Sequence, residues 1–296
     1  MKRVLLLYNP MAGIQEFNRM LDEIIAVFQA QDIELTIYRT QEQMDFYNYL
    51  NYQTAKRYQA ILVAGGDGSI SLAMNAMMKK KIDLPLGIIP SGTSNDFAHY
   101  LAISSDLHLA IQQLAQLRSK WIDLGKVNGT FFINVLGGGI LPNVAQKVEG
   151  EAKNMWGKAA YYVTGLMEMT KNKSFRLRVQ TEDQEFEEDY FLFLVMNGVS
   201  AGGFSKVGGK ATAEDGKLNF VGIKSLNLSD VPMLFGKLLR GEHIEDPHVR
   251  YLEGEQFQME FVSGDEDTKA VNIDGEKGPE YPLDIQVCKH RLQVLY

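Results

Sequence analysis

The residue types that could do chemistry gather in four short segments. The first, Gly65-Gly66-Asp67-Gly68-Ser69, follows directly on an apolar run from Ala60 to Ala64. Three glycines let a backbone approach a ligand closely, and amide hydrogens at the start of a following helix attract an anion, so a phosphate suits this loop. Asp67 complicates that reading, because a carboxylate beside a phosphate repels it unless a divalent cation or a proton intervenes. A nucleotide bound with Mg²⁺ reconciles the two; the alternative is a plain strand-to-helix turn in which Asp67 only caps the helix. Asn9-Pro10-Met11-Ala12-Gly13 and Pro90-Ser91-Gly92-Thr93-Ser94-Asn95-Asp96-Phe97 bring the same glycine and small polar types after further apolar runs. The fourth segment, Asp274-Gly275-Glu276, offers two carboxylates for proton transfer from a hydroxyl, or else a charged hairpin turn. Neither Gly-x-x-x-x-Gly-Lys-Ser/Thr nor Gly-x-Gly-x-x-Gly occurs in the chain.

To act together, these loops need a common sheet edge. Val4 to Tyr8 is a continuous apolar run, as expected of a strand buried on both faces. Phe17, Met20, Leu21, Ile24, Ile25 and Phe28 fall on one helical stripe. A strand over Ile33 to Tyr38, a polar, aromatic-rich helix over Glu42 to Arg57 and a strand over Ala60 to Ala64 follow. Ile70, Ala73, Met74 and Met77 then mark a helix, Leu86 to Ile89 a strand, and Leu107, Ala110, Ile111 and Leu114 a further helix. This alternation predicts an α/β, doubly wound, mostly parallel sheet over residues 1–124, with the first three loops at its C-terminal edge, where open α/β sheets bind ligands.

Beyond Gly125 the pattern changes to short strands between glycines and charged turns. The candidates are Thr130 to Val135, Phe175 to Gln180, Asp189 to Met196, Leu218 to Ile223, Gln256 to Val262, Ala270 to Asp274 and Leu283 to Val287. Helical insertions are expected around Trp156 to Thr170 and Leu228 to Leu239. So many strands without a crossover pattern predict an antiparallel β-sandwich over residues 125–296, with the last residues free to return to the first domain.

Composition narrows the function. The 296 residues are 45% hydrophobic and 23% charged, a globular balance. Lys and Arg number 30 against 37 Asp and Glu, a net charge of −7, which argues against a nucleic-acid partner. One cysteine, Cys288, allows no internal disulfide and reads as intracellular. The longest apolar run, Tyr190 to Met196, falls far short of the ~20 residues of a membrane-spanning helix, so contact with lipid is expected from the surface. Met1 to Tyr8 is too short for a secretory signal. His243 and His248 match no zinc spacing and read as exposed loop histidines. Lys79-Lys80-Lys81 reads as a solvated helix end or a membrane contact.

Gly65-Gly66-Asp67-Gly68-Ser69, Pro90-Ser91-Gly92-Thr93-Ser94-Asn95-Asp96-Phe97-Ala98 and Asp274-Gly275-Glu276 together resemble the signature segments of the diacylglycerol kinase catalytic-domain family. These are bacterial lipid kinases related to the sphingosine and ceramide kinases, and the likeness spans nearly the whole chain in order and spacing. The resemblance implies ATP-dependent phosphoryl transfer to a lipid hydroxyl, diacylglycerol by default. Carried over by position, Asn9, Pro10, Met11, Ala12, Gly13, Thr40, Gly66, Asp67, Gly68, Ser69, Ile70, Ser71, Leu72 and Thr93 would line the ATP site. Glu276 would be the general base beside Asp274, and Asp67, Asp96, Asp123 and Lys158 the polar network around base and metal. A structural Mg²⁺ would be held by Asp215 with groups at Thr212 and Lys217. Ser69 stands for the usual threonine, His99 for a frequent arginine, and Ser205 to Lys210 lacks the usual proline. The alternatives are a soluble kinase of the NAD-kinase or phosphofructokinase type and a non-catalytic lipid or nucleotide sensor. The implied setting is cytoplasmic, peripheral to the inner face of the membrane, with oligomeric state open and a homodimer among the options.

Overall fold

Val4, Leu5, Leu6 and Leu7 are completely buried, as covering of a strand on both faces requires. They belong to β1 (Lys2–Tyr8), which pairs in parallel with β2 (Ile33–Arg39) and with β3 (Ala60–Gly65). In turn, β3 pairs in parallel with β4 (Leu86–Pro90). The computed structural model describes residues 1–9, 19–41, 44–51, 55–92, 95–139, 174–198, 200 and 206–296. Phe17, Pro10, Met11, Ala12, Gly13, Thr93, Lys158 and the helix expected over Trp156 to Thr170 lie outside them.

The chain divides into two compact units. One comprises Met1–Leu124, Thr130–Ile133 and Cys288–Tyr296, the other Gly125–Gly129 and Asn134–Val287. In the first, the strand order β2-β1-β3-β4 changes direction between β1 and β3. That is a topological switch point, and the connections on either side of it leave a crevice at the strand C-termini. This unit's helices among the described residues are α1 (Leu21–Ala30), α2 (Met44–Tyr49), α3 (Asp67–Lys80), α4 (Asp96–Tyr100) and α5 (Leu107–Ala115). Their stripes are buried as the spacing predicts: Ile24 and Phe28 on α1, Ile70, Ala73, Met74 and Met77 on α3, and Ala110, Ile111 and Leu114 on α5. The helix expected over Glu42 to Arg57 is broken: α2 stops at Tyr49, and Leu50 and Asn51 are not helical. The Asn51 amide donates to the Tyr49 carbonyl, a local bond that competes with helix continuation. At the other end of α3, the Lys80 ammonium lies 4.0 Å from the centre of the Tyr47 ring.

β5 (Ser119–Val127) turns through Asn128-Gly129, both at positive φ, into β6 (Thr130–Phe132). The single strand expected over Thr130 to Val135 is therefore two, β6 and then β7 (Val135–Gly139), because the N–H groups of Asn134 and Val135 go to the Asp274 carboxylate. In the second unit β8 (Phe175–Gln180), β9 (Glu185–Met196), β10 (Leu218–Lys224), β11 (Val249–Gly254), β12 (Gln256–Ser263), β13 (Val271–Ile273) and β14 (Glu276–Lys277) build an antiparallel β-sandwich. β9 joins its parts, pairing with β8 through its first half and with β7 and β10 through its second. Phe220 is central to the core, with its ring centroid 5.8 Å from that of Tyr190, 6.2 Å from Phe193 and 6.3 Å from Phe257. α6 (Val231–Arg240) follows β10, and β15 (Leu283–Leu295) closes the chain, pairing first with β12 and then, at Val294, with Leu86 of β4.

His243 is not the exposed histidine its sequence context suggests; it is 1% exposed. Its Nε2–H donates to the Val207 carbonyl at 2.9 Å. Burial pushes its pKa below the ordinary 6.5, outweighing that bond. His248 is half-buried instead, bonded with Lys237 to the Asp246 carboxylate, whose pKa they hold at about 2 against the upward push of burial. A histidine kept neutral in the folded state contributes stability that is complete above its unfolded value and lost as pH falls toward the folded one. The melting temperature should therefore decline as pH drops below 6.5, and His243→Gln should remove most of that slope. Melting curves across roughly pH 5 to 7.5 check it.

Candidate active site

Strand register brings the chemically suggestive loops of the first unit into one row. Tyr8 pairs with Arg39 and with Ala64, and Ala64 with Ile89, so Asn9, Thr40, Gly65 and Pro90 follow at one level along the C-terminal edge. Thr40 is fully buried and ties β2 to β1: its N–H and its hydroxyl both donate to the Tyr8 carbonyl, at 2.8 and 3.1 Å. Gly66 and Gly92 meet face to face. A Cβ on Gly92 would stand 3.1 Å from the Gly66 nitrogen and closer still to its Cα, so no side chain fits between the loops. Asn95, in the left-handed region at φ 52°, brackets Gly92 from the other side, accepting its N–H at 2.9 Å and donating to its carbonyl at 2.8 Å. Asparagine tolerates that conformation, and its short amide spans both backbone groups.

Gly66 is the N-cap of α3 and, having no side chain, brings no capping group of its own to that end. Its amide dipoles therefore face the loop, a fit to phosphate oxygens in both charge and donor chemistry. Asp67, the first residue of α3, does not cap its own helix. It reaches across to α4, where Oδ2 accepts from the Asp96 N–H at 3.2 Å and Oδ1 from the Phe97 N–H at 3.1 Å. Two peptide hydrogens thus supply part of the compensation that the sequence alone assigns to a cation. Asp96 is 8% exposed, and Ile70 and Ser71 are buried beneath the loop while Gly68, Ser69 and Leu72 are partly accessible.

Asp123 is completely buried on β5, and its Oδ1 accepts the His290 N–H at 2.7 Å where β15 kinks through φ 47°. Nothing in the local sequence marks that pairing, because His290 lies far along the chain.

The second unit holds Asp274 and Glu276. Ile273 pairs with Glu276, making Asp274-Gly275 a two-residue hairpin loop, and both loop residues have positive φ, 48° and 92°, as a type I′ turn requires. The turn separates the two carboxylates. Asp274 is 7% exposed, and its Oδ1 accepts from the Asn134 and Val135 N–H groups, each at 2.9 Å. Glu276 is exposed. Of the pair, Asp274 anchors the hairpin and Glu276 is open to solvent. Asn134 and Val135 are partners that sequence reasoning missed, since backbone donors carry no residue-type signal.

Asp215 and Lys217 lie in the turn before β10, where the Lys217 N–H donates to Asp215 Oδ1 at 2.9 Å and the Lys217 ammonium reaches Glu253 at 3.4 Å. One exposed carboxylate and backbone carbonyls are hard oxygen donors of the kind Mg²⁺ takes. Among the described residues no cluster of three or more His, Cys, Asp or Glu forms a metal centre.

Residues 3–127 match the family described as diacylglycerol kinase catalytic domain, and residues 135–296 that described as YegS C-terminal NAD kinase beta sandwich-like domain. A diacylglycerol kinase of Bacillus subtilis (strain 168) is 30% identical over 283 residues, 95% of this chain and 92% of that protein. A diacylglycerol kinase of Staphylococcus saprophyticus is 29% identical over 293 residues, 99% and 95% respectively. A crystal structure from Bacillus anthracis str. Sterne, provisionally named a diacylglycerol kinase, matches with a TM-score of 0.84 and 27% identity, covering 100% of this chain and 95% of its own.

Proposed function

Because the chain belongs to the diacylglycerol kinase catalytic-domain family, we propose that it transfers the γ-phosphoryl group of ATP to a lipid hydroxyl, with diacylglycerol as the acceptor. The observation that carries the reading is the Gly66–Gly92 contact between the loops after β3 and β4, beside the glycine-capped start of α3 and one strand from the switch point between β1 and β3. It supports phosphate binding there, with Asn9, Thr40 and the segment from Gly66 to Leu72 lining the nucleotide, joined by Pro10 to Gly13 and Thr93. Asp67 holds the loop that ends in α4, and Asp96, Asp123 and Lys158 complete the polar surroundings.

Such a reaction asks the protein for alignment, charge neutralisation and a proton acceptor. The lipid hydroxyl gives its proton to Glu276; its oxygen forms the new bond to the γ-phosphorus as the bond to the β-phosphate oxygen breaks, leaving ADP. Asp274 orients Glu276 through the hairpin. Mg²⁺ bound with the nucleotide would neutralise phosphate charge, and a separate structural Mg²⁺ held by Asp215 with groups at Thr212 and Lys217 would tie down the turn before β10.

A lipid acceptor places the work at a membrane surface, and among the described residues no helix is long and apolar enough to cross one. ATP as donor places it on the cytoplasmic face. The test is incubation with γ-labelled ATP and a whole-lipid extract in mixed micelles, with NAD as a competing acceptor. Label is expected in a phosphorylated diacylglycerol; label on NAD alone, or on nothing, rejects the lipid-kinase reading.

A further inference from the structure

Asn75 lies on α3 about two turns beyond the Gly66-Asp67 loop. Its Nδ2 donates to the Ser71 carbonyl and to the Phe131 carbonyl, both at 3.0 Å, and its Oδ1 accepts the Phe131 N–H at 3.1 Å. The amide thus pairs with β6 as a neighbouring strand would, satisfying both backbone groups of Phe131. No other side chain does this at that length: aspartate has no donors, leucine has neither donor nor acceptor, and glutamine carries its amide one methylene further out. Phe132 and Ile133, which follow, are buried at 0% and 1%. The next two residues are Asn134 and Val135, whose N–H groups hold the Asp274 carboxylate.

We infer that Asn75 is a positioning residue, clipping the nucleotide-loop helix to β6, whose chain runs on directly into the two amides on which Asp274, and so the Glu276 hairpin, depends. Each contact lies within one unit, and the step from Phe131 to Asn134 is covalent. The catalytic consequence rests on the lipid-kinase reading; the clip itself does not.

Two measurements on Asn75→Ala and Asn75→Gln separate the cases. Amide hydrogen exchange should quicken in Asn75→Ala by about tenfold or more at Phe131, Asn134 and Val135. Turnover per folded molecule should drop about tenfold with the KM for ATP nearly unchanged, because the lost interaction aligns rather than binds. Asn75→Gln, which keeps the amide, should recover part of both. Quickened exchange confined to Phe131 overturns the inference, as does a lower melting temperature with kcat per folded molecule intact. If the wild-type protein phosphorylates no lipid, the kinase reading fails, and exchange at Asn134 and Val135 alone decides the clip.

Discussion

Glu276→Gln should keep nucleotide affinity and lose roughly 10² to 10⁴-fold in lipid phosphorylation, the range for removing a general base. Glutamine preserves the length and hydrogen-bonding capacity of the side chain but cannot take up the hydroxyl proton. Because Glu276 is exposed at the end of a two-residue turn, the variant should melt with the wild type, and the loss should appear in kcat. Asp274→Ala provides the contrast. It strips the partner from the buried Asn134 N–H and the half-buried Val135 N–H, and an unpaired buried donor costs about 1–3 kcal/mol. That variant should lose stability as well as rate, whereas Asp274→Asn, whose Oδ1 can accept both bonds, should keep most of the stability. Nucleotide titration, melting and turnover on the same preparations decide the assignment. If Glu276→Gln instead loses ATP affinity while turnover per bound nucleotide holds, the residue serves the nucleotide, and the role of base passes elsewhere.

Asp67→Asn should lower turnover at least about 10²-fold, the scale of losing one preorganised electrostatic group, and should also lower the melting temperature. The carboxylate uses one oxygen for each of two adjacent peptide N–H groups, those of Asp96 and Phe97. An asparagine has one acceptor oxygen to offer, and its NH₂ group would face the other N–H. α4 should then loosen, and with it Asn95 and the Gly92 backbone that it brackets against Gly66. A variant that melts normally but fails to turn over would show Asp67 acting on phosphate or metal alone; normal melting with normal turnover would remove it from the site.

The sequence by itself determined the elements and the edge on which they present their loops. Buried parallel strands such as Val4 to Leu7 and Ile61 to Val63 are continuous apolar runs, and the helix stripes of α1, α3 and α5 follow the 3.6-residue period. Both patterns are local, so both are legible along the chain. The Asp-Gly pair at 274–275 likewise announces a turn before any fold is known. What tertiary structure decided is everything that joins distant residues. The switch point depends on β3 choosing β1 as its neighbour, which no composition of either strand specifies. Asp67 spans to the N–H groups of α4, Asp123 to that of His290, and Asp274 to those of Asn134 and Val135. In each case a side chain meets a peptide group, which is chemically alike at nearly every position, so only folding selects the partner. His243 departs from its sequence context for the same reason: its acidic neighbours suggest exposure, but it is buried and bonded to the carbonyl of the distant Val207.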